Sequence, residues 1–120
     1  VLAAFDGVVH SFKDNTNHGD YGPTLVLKHC IDTVGFYTLY GHLSKSSIKN
    51  LNKNTQISKS QCIGYLGDSS VNGDYAPHLH FQIIKNIENF EGDYPGVCSQ
   101  NSLAFFSANC PDPNLVLKLC

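Results

Sequence analysis

The sequence predicts a single all-β domain spanning residues 1–120, a small antiparallel β-sandwich or barrel-like structure. Three observations carry this. Turn signals are frequent and helical periodicity is poor; several short β-favouring runs recur between the turns; and 120 residues suffice for one domain but not for two ordinary ones.

The elements follow in order. Val1 to Phe12 reads as a strand that contains a turn-capable Asp6-Gly7. Asn15 to Asp20 is loop composition, rich in residues that favour turns. Thr24 to Ile31 alternates, with Leu25, Leu27, His29 and Ile31 on one face and Thr24, Val26, Lys28 and Cys30 on the other. Phe36 to Tyr40 is aromatic and β-favouring, and the short spacer Asp32-Thr33-Val34-Gly35 predicts an antiparallel hairpin between the two runs. Ser44 to Asn54 is polar and holds one short helical turn. Gln61 to Leu66 reads as a brief strand, Ser69 to Pro77 as a turn-rich loop, and His78 to Lys85 as the most strand-like stretch. Tyr94-Pro95-Gly96 is a turn, Ser102 to Ala108 a short helix, and Leu115-Val116-Leu117 a final apolar run.

Composition removes several classes of function. Eight Lys, no Arg and ten acidic residues give a net charge of −2, which offers no phosphate-neutralising surface and argues against nucleic acid as a partner. No apolar run approaches the roughly 18 residues of a membrane span, so no membrane partner is expected. No basic-then-apolar leader opens the chain, and the absence of Met is read as processing or excision from a longer chain. The five Cys are an odd number without a Cys-x-x-Cys pair, which reads as a reduced chain, although one or two disulfides fit an oxidising compartment.

The chemistry concentrates in histidine. His78 and His80 lie two apart on the predicted strand and so share a face with Gln82 and Ile84, opposite Leu79, Phe81 and Ile83. Adjacent imidazoles make poor core material, because each carries a nitrogen that needs a partner. A metal or a substrate supplies one; solvent on an exposed sheet face is the plainer alternative. His42 follows an aromatic strand, shares a face with Phe36, Thr38 and Tyr40, and sits just after Gly41, where the backbone can approach closely. Spacing leaves two arrangements open. His42, His78 and His80 form a three-His zinc site with an open position, or one ligates while the others act as bases or hydrogen-bond donors. His29 reads as a hydrogen-bonded histidine at a core edge, and His10 has no partner nearby in sequence. His18 with Asp20 reads as turn chemistry rather than as a cation site, and Asp68 and Asp74 as turn residues. No Ser or Cys has the setting of a nucleophile.

An ordered series of segments carries a resemblance: Ala3-Ala4-Phe5-Asp6-Gly7-Val8-Val9; Asp20 through His29; Leu39-Tyr40-Gly41-His42-Leu43-Ser44; Gln61-Cys62-Ile63-Gly64-Tyr65-Leu66-Gly67; and Pro77-His78-Leu79-His80-Phe81-Gln82. Over residues 1–84 the chain resembles the lysostaphin/LytM-type zinc endopeptidases, which cleave peptide cross-links in bacterial peptidoglycan. The resemblance implies an antiparallel β fold with a groove over the sheet, a Zn2+ cofactor and a peptide or peptidoglycan-like substrate. It makes His80 a metal ligand and His42 and His78 catalytic histidines. Zinc with three protein ligands keeps a position open and brings the pKa of a water there to about 7. A neutral His in reach can take the proton.

The family's other two ligands are a His-x-x-x-Asp pair, expected upstream of Ala3, before Val1. The domain is therefore expected to be N-terminally truncated, to hold zinc weakly or not at all, and to be inactive as this fragment. The alternative is a non-catalytic binding or spacer domain. Asp93-Tyr94-Pro95-Gly96-Val97 and Cys110-Pro111-Asp112-Pro113-Asn114-Leu115 resemble a subgroup fused to kinase-like and class III aminotransferase domains. That implies flanking domains and a cytoplasmic location, whereas a true peptidoglycan hydrolase would belong to the cell envelope.

Overall fold

A computed structural model describes residues 1–119. Strands β1 (Gly7–Asn15), β2 (Gly22–Ile31), β3 (Val34–Gly41), β4 (Gln56–Ile57) and β5 (His80–Ile84) pair antiparallel in one sheet, in the order β4-β1-β2-β3-β5. Short helices α1 (Lys45–Ile48), α2 (Leu103–Asn109) and α3 (Asn114–Leu117), with a 3-10 turn at Gln100–Ser102, complete the regular structure of the described residues. The β-rich, antiparallel fold agrees with the sequence. Its second layer is made of loops and short helices, packed on both faces of the sheet.

The hairpin between β2 and β3 closes at Ile31 opposite Val34. Its two linking residues, Asp32 and Thr33, both have positive φ, +48° and +69°. That is the backbone of the primed turns, whose twist matches that of the flanking strands. At the front of the chain the boundary moves. β1 begins at Gly7, because residues 1–3 pair instead with the run 61–64: Leu2 bridges Cys62, and the Val1 amino group donates to the Gly64 carbonyl at 2.7 Å. The predicted strand at 61–66 is thus reduced to bridges, the second being Leu43 with Leu66. The two-residue β4 lies just before it.

β2 is buried on both faces, and its alternation divides the core. On one side Leu25 and Leu27 pack with Val9, Tyr40, Leu43, Ile57 and Ile63. On the other, Val26 packs with Leu39, Ile84, Ile87 and Tyr94, flanked by Phe90 and Phe106. Ile87 and Tyr94 come from the segment after β5. Burying one Ile-sized side chain contributes about 1.5–3 kcal/mol, so that segment is part of the fold.

A polar chain crosses the first core. Tyr40 Oη accepts from the Ala4 N–H at 3.0 Å and lies 3.2 Å from Thr38 Oγ1, which lies 2.7 Å from His29 Nε2. His29 Nδ1–H donates to the Asp6 carbonyl at 2.7 Å. His29 is 1% exposed, with a partner at both nitrogens, so burial lowers its pKa and keeps it neutral.

Cys30, Cys62 and Cys98 are exposed free thiols and Cys110 is a half-buried one; Cys120 lies outside the described residues. Among the described residues no helix is long and apolar enough to cross a membrane.

Candidate active site

His42, His78 and His80 converge. The rings of His42 and His78 lie 4.3 Å apart, centre to centre, and those of His42 and His80 6.0 Å apart. They line a cavity of about 430 Å³, together with Tyr21, Tyr75 and the turn Pro95-Gly96.

The route to this convergence differs from the pleat expected at His42. Strand alternation ends at Gly41, and His42 takes a left-handed backbone with φ +61°. A non-glycine residue there stores strain and needs anchoring. His42 has three anchors. Its N–H donates to the Tyr21 carbonyl at 2.7 Å, its carbonyl accepts from the Gly67 N–H at 2.9 Å, and its Nδ1–H donates to the Asn72 carbonyl at 2.7 Å. His78 precedes β5 instead of lying on it, and Leu79, expected in the core, is 36% exposed. His80 opens β5 on the face of Gln82 and Ile84.

Hydrogen bonds fix which nitrogen of each imidazole is bare. A carbonyl only accepts, so His42 and His78, whose Nδ1 atoms meet the carbonyls of Asn72 and Ala76, keep Nε2 free. His80 is the reverse. Gln82 Nε2 donates to the Pro95 carbonyl at 3.1 Å, which turns Gln82 Oε1 toward His80 Nε2 at 2.9 Å. His80 therefore carries its proton on Nε2 and leaves Nδ1 bare, the state a metal ligand requires. Burial lowers the pKa of both His42 and His80.

Tyr21 is the floor of the site. Its ring lies 4.6 Å from that of His80 and 5.8 Å from that of His42. Its hydroxyl donates to the Tyr94 carbonyl at 2.9 Å and lies 3.3 Å from Gln82 Oε1. Burial, then the charge of Asp93, raises its pKa and keeps the phenol protonated. Two glycines permit the stacking. A Cβ on Gly41 would stand 3.2 Å from the Tyr21 ring and 3.3 Å from the His80 Cβ; one on Gly96 would overlap the Tyr21 hydroxyl. The carboxylates of Asp20 and Asp93 also line the cavity. Tyr21, Asn72, Gln82 and the 94–96 turn were not singled out from sequence as parts of a site. Only Gln82, two residues from His80 on the same face, left a signal there.

The remaining candidates lie elsewhere. His10 and Asp14 have the His-x-x-x-Asp spacing within the chain, but neither lines this cavity. His10 occupies a bulge in β1, with Nδ1 2.8 Å from Ser11 Oγ and its ring against Tyr37; Asp14 faces Lys45 at 3.9 Å. His18 pairs with Asp74 at 3.9 Å, and Asp20 Oδ1 accepts the Tyr21 N–H.

His80 Nδ1 and Nε2 of His42 and His78 each carry a lone pair that a zinc ion could take. Among the described residues no three His, Cys, Asp or Glu side chains are arranged to hold a metal ion, so the three imidazoles do not by themselves form the three-His set.

Comparison with known proteins bears on the fold and the family. The chain is 27% identical to the catalytic domain of the antimicrobial peptidase lysostaphin from Staphylococcus simulans, with a TM-score of 0.63 over 99% of this chain and 70% of that one. No curated protein matches. The subgroup fused to kinase-like and aminotransferase-like domains finds no support in the likeness to lysostaphin. The profile of Peptidase family M23 matches residues 1–91, and the chain belongs to that family.

Proposed function

We propose that this domain is a zinc metalloendopeptidase module for peptides of the peptidoglycan cross-link class, with His80 as a metal ligand and His42 and His78 as its proton-handling groups. The single observation that supports this most is the distribution of bare nitrogens: Nδ1 on His80, and Nε2 on His42 and His78. When bound, the metal supplies Lewis acidity and a nucleophile at neutral pH. The chain's own residues do the rest. His42 Nε2 or His78 Nε2 takes a proton from the attacking water and returns it to the leaving amine, a contribution of about 100- to 10,000-fold in rate. Tyr21 and Gln82 hold the ring of His80, and the 94–97 turn forms one wall of the cavity.

These 120 residues supply one of the three donors. The reading therefore includes weak zinc binding and no hydrolysis by this chain alone, with the missing His and Asp expected from sequence upstream. The alternative, a non-catalytic binding module, rests on the same donor shortage. Zinc is to be counted after dialysis against a weak chelator, for this chain and for the same chain with its natural upstream sequence. Zinc retained at one per chain, with cleavage of cross-link peptides, only in the longer form is the expected result. Stoichiometric zinc in the 120-residue chain would overturn the assignment of ligands. No zinc in either form would favour the binding module.

A further inference from the structure

A second, smaller cavity of about 190 Å³ lies behind the wall of the histidine cavity. Residues Pro95, Gly96 and Val97 line both, so this turn is a partition between them. Two thiols, Cys98 and Cys110, line the smaller cavity beside Gln82. Cys98 ends the partition and is exposed, as are residues 96–100 around it. Cys110 caps α2 and is anchored: its N–H donates to the Phe106 carbonyl at 2.7 Å, and it packs against the Tyr94 core. Its sulfur is 4.0 Å from Gln82 Nε2, the group that turns Oε1 of the same amide toward His80. Burial raises the Cys110 pKa, and the nearby Cys98 raises it further. Neither Cys30 nor Cys62 touches this cavity.

We propose that Cys98 and Cys110 are a redox pair whose disulfide pins the partition of the histidine cavity to the end of α2. The pairing stands apart from the peptidase reading; only its effect on hydrolysis would rest on that reading. The chemistry balances with a small-molecule disulfide as oxidant. The exposed Cys98 thiolate attacks one sulfur of oxidised glutathione, forms a mixed disulfide and expels one glutathione thiolate. The Cys110 thiolate then attacks Cys98 Sγ and expels the second. Two protein thiols lose two electrons and two protons, and one glutathione disulfide becomes two thiols. A disulfide holds its Cα atoms at about 4.4–6.8 Å, so the bond ties the exposed 96–98 segment to the end of α2. It also removes the thiol beside Gln82, and so reaches His80 through one amide.

The test is a glutathione redox series on the 120-residue protein, with alkylation of remaining thiols, intact mass, peptide mapping and imidazole nitrogen resonances. The expected result is the joint loss of two thiols, a cross-linked peptide pair containing Cys98 and Cys110, and a shift of the His80 resonances with the same midpoint. Both changes should vanish in Cys98→Ser, an exposed site where folding is not at stake, and persist in Cys120→Ser. A pair involving Cys30, Cys62 or Cys120, glutathione adducts without a cross-link, or a cross-link that leaves His80 unmoved would overturn the proposal.

Discussion

The imidazoles of His42 and His78 face each other at 4.3 Å, and each donates its Nδ1–H to a backbone carbonyl. Two rings so placed cannot both carry a proton without repulsion. The charge of His78 adds to the burial that lowers the pKa of His42. His42 is thereby held neutral, with its Nε2 free to accept a proton.

Acid should weaken this fold before the usual carboxylate range is reached. His29, His42 and His80 all have pKa values lowered from 6.5, chiefly by burial. The unfolded chain therefore binds more protons than the folded one below about pH 6.5. The resulting stability is present above pH 6.5 and is lost as pH falls through the lowered folded values. Urea unfolding between pH 7.5 and 5 should show a falling midpoint, with a shallower fall in His29→Gln.

In the protein carrying every ligand, His80→Ala should abolish both zinc and activity. His42→Ala or His78→Ala should lower kcat by about 100- to 10,000-fold with zinc retained. Zinc content and kcat measured on the same preparations separate the roles. Loss of metal in His42→Ala would contradict them.

Gln82→Leu removes the acceptor that holds the proton on His80 Nε2. The other tautomer then becomes accessible, and zinc affinity in the complete protein should fall by about 10- to 100-fold. Competition with a chelating dye reads the affinity. Nitrogen chemical shifts of His80 report the tautomer in the 120-residue chain, with no metal needed.

Gly96→Ala sets a methyl group where the Tyr21 hydroxyl lies. Tyr21 must swing away from the Tyr94 carbonyl, or the turn must lift. Overpacking of this kind costs about 1–3 kcal/mol, measurable by urea unfolding. Tyr21→Phe, which keeps the ring and removes the oxygen, should tolerate the added methyl far better.

Much of the sheet was legible because its signals are local. The alternation of β2, the aromatic run of β3 and the positive-φ link between them depend on neighbours in sequence. The histidine cluster was legible from the His-x-His and from its order among family-like segments. What escaped depends on distant contacts. Tyr21 meets the Tyr94 carbonyl across 73 positions, and no local pattern announces that. β4 is only two residues long and leaves no period to read. His42 reaches the site through a left-handed turn, a conformation no periodicity encodes. His10 and Asp14 give the converse lesson: a ligand-like spacing leads nowhere near the site when a bulge re-aims one member and a lysine occupies the other.

The two-sided burial of the central strand sets how short this protein can be cut. A chain ended at Glu91, where the family match stops, would lose Tyr94, Phe106 and Cys110 from over Val26, Leu39 and Ile84. It would bare a greasy sheet face to water and invite self-association. The smallest autonomous unit reaches past α2, beyond the residues that the family profile spans.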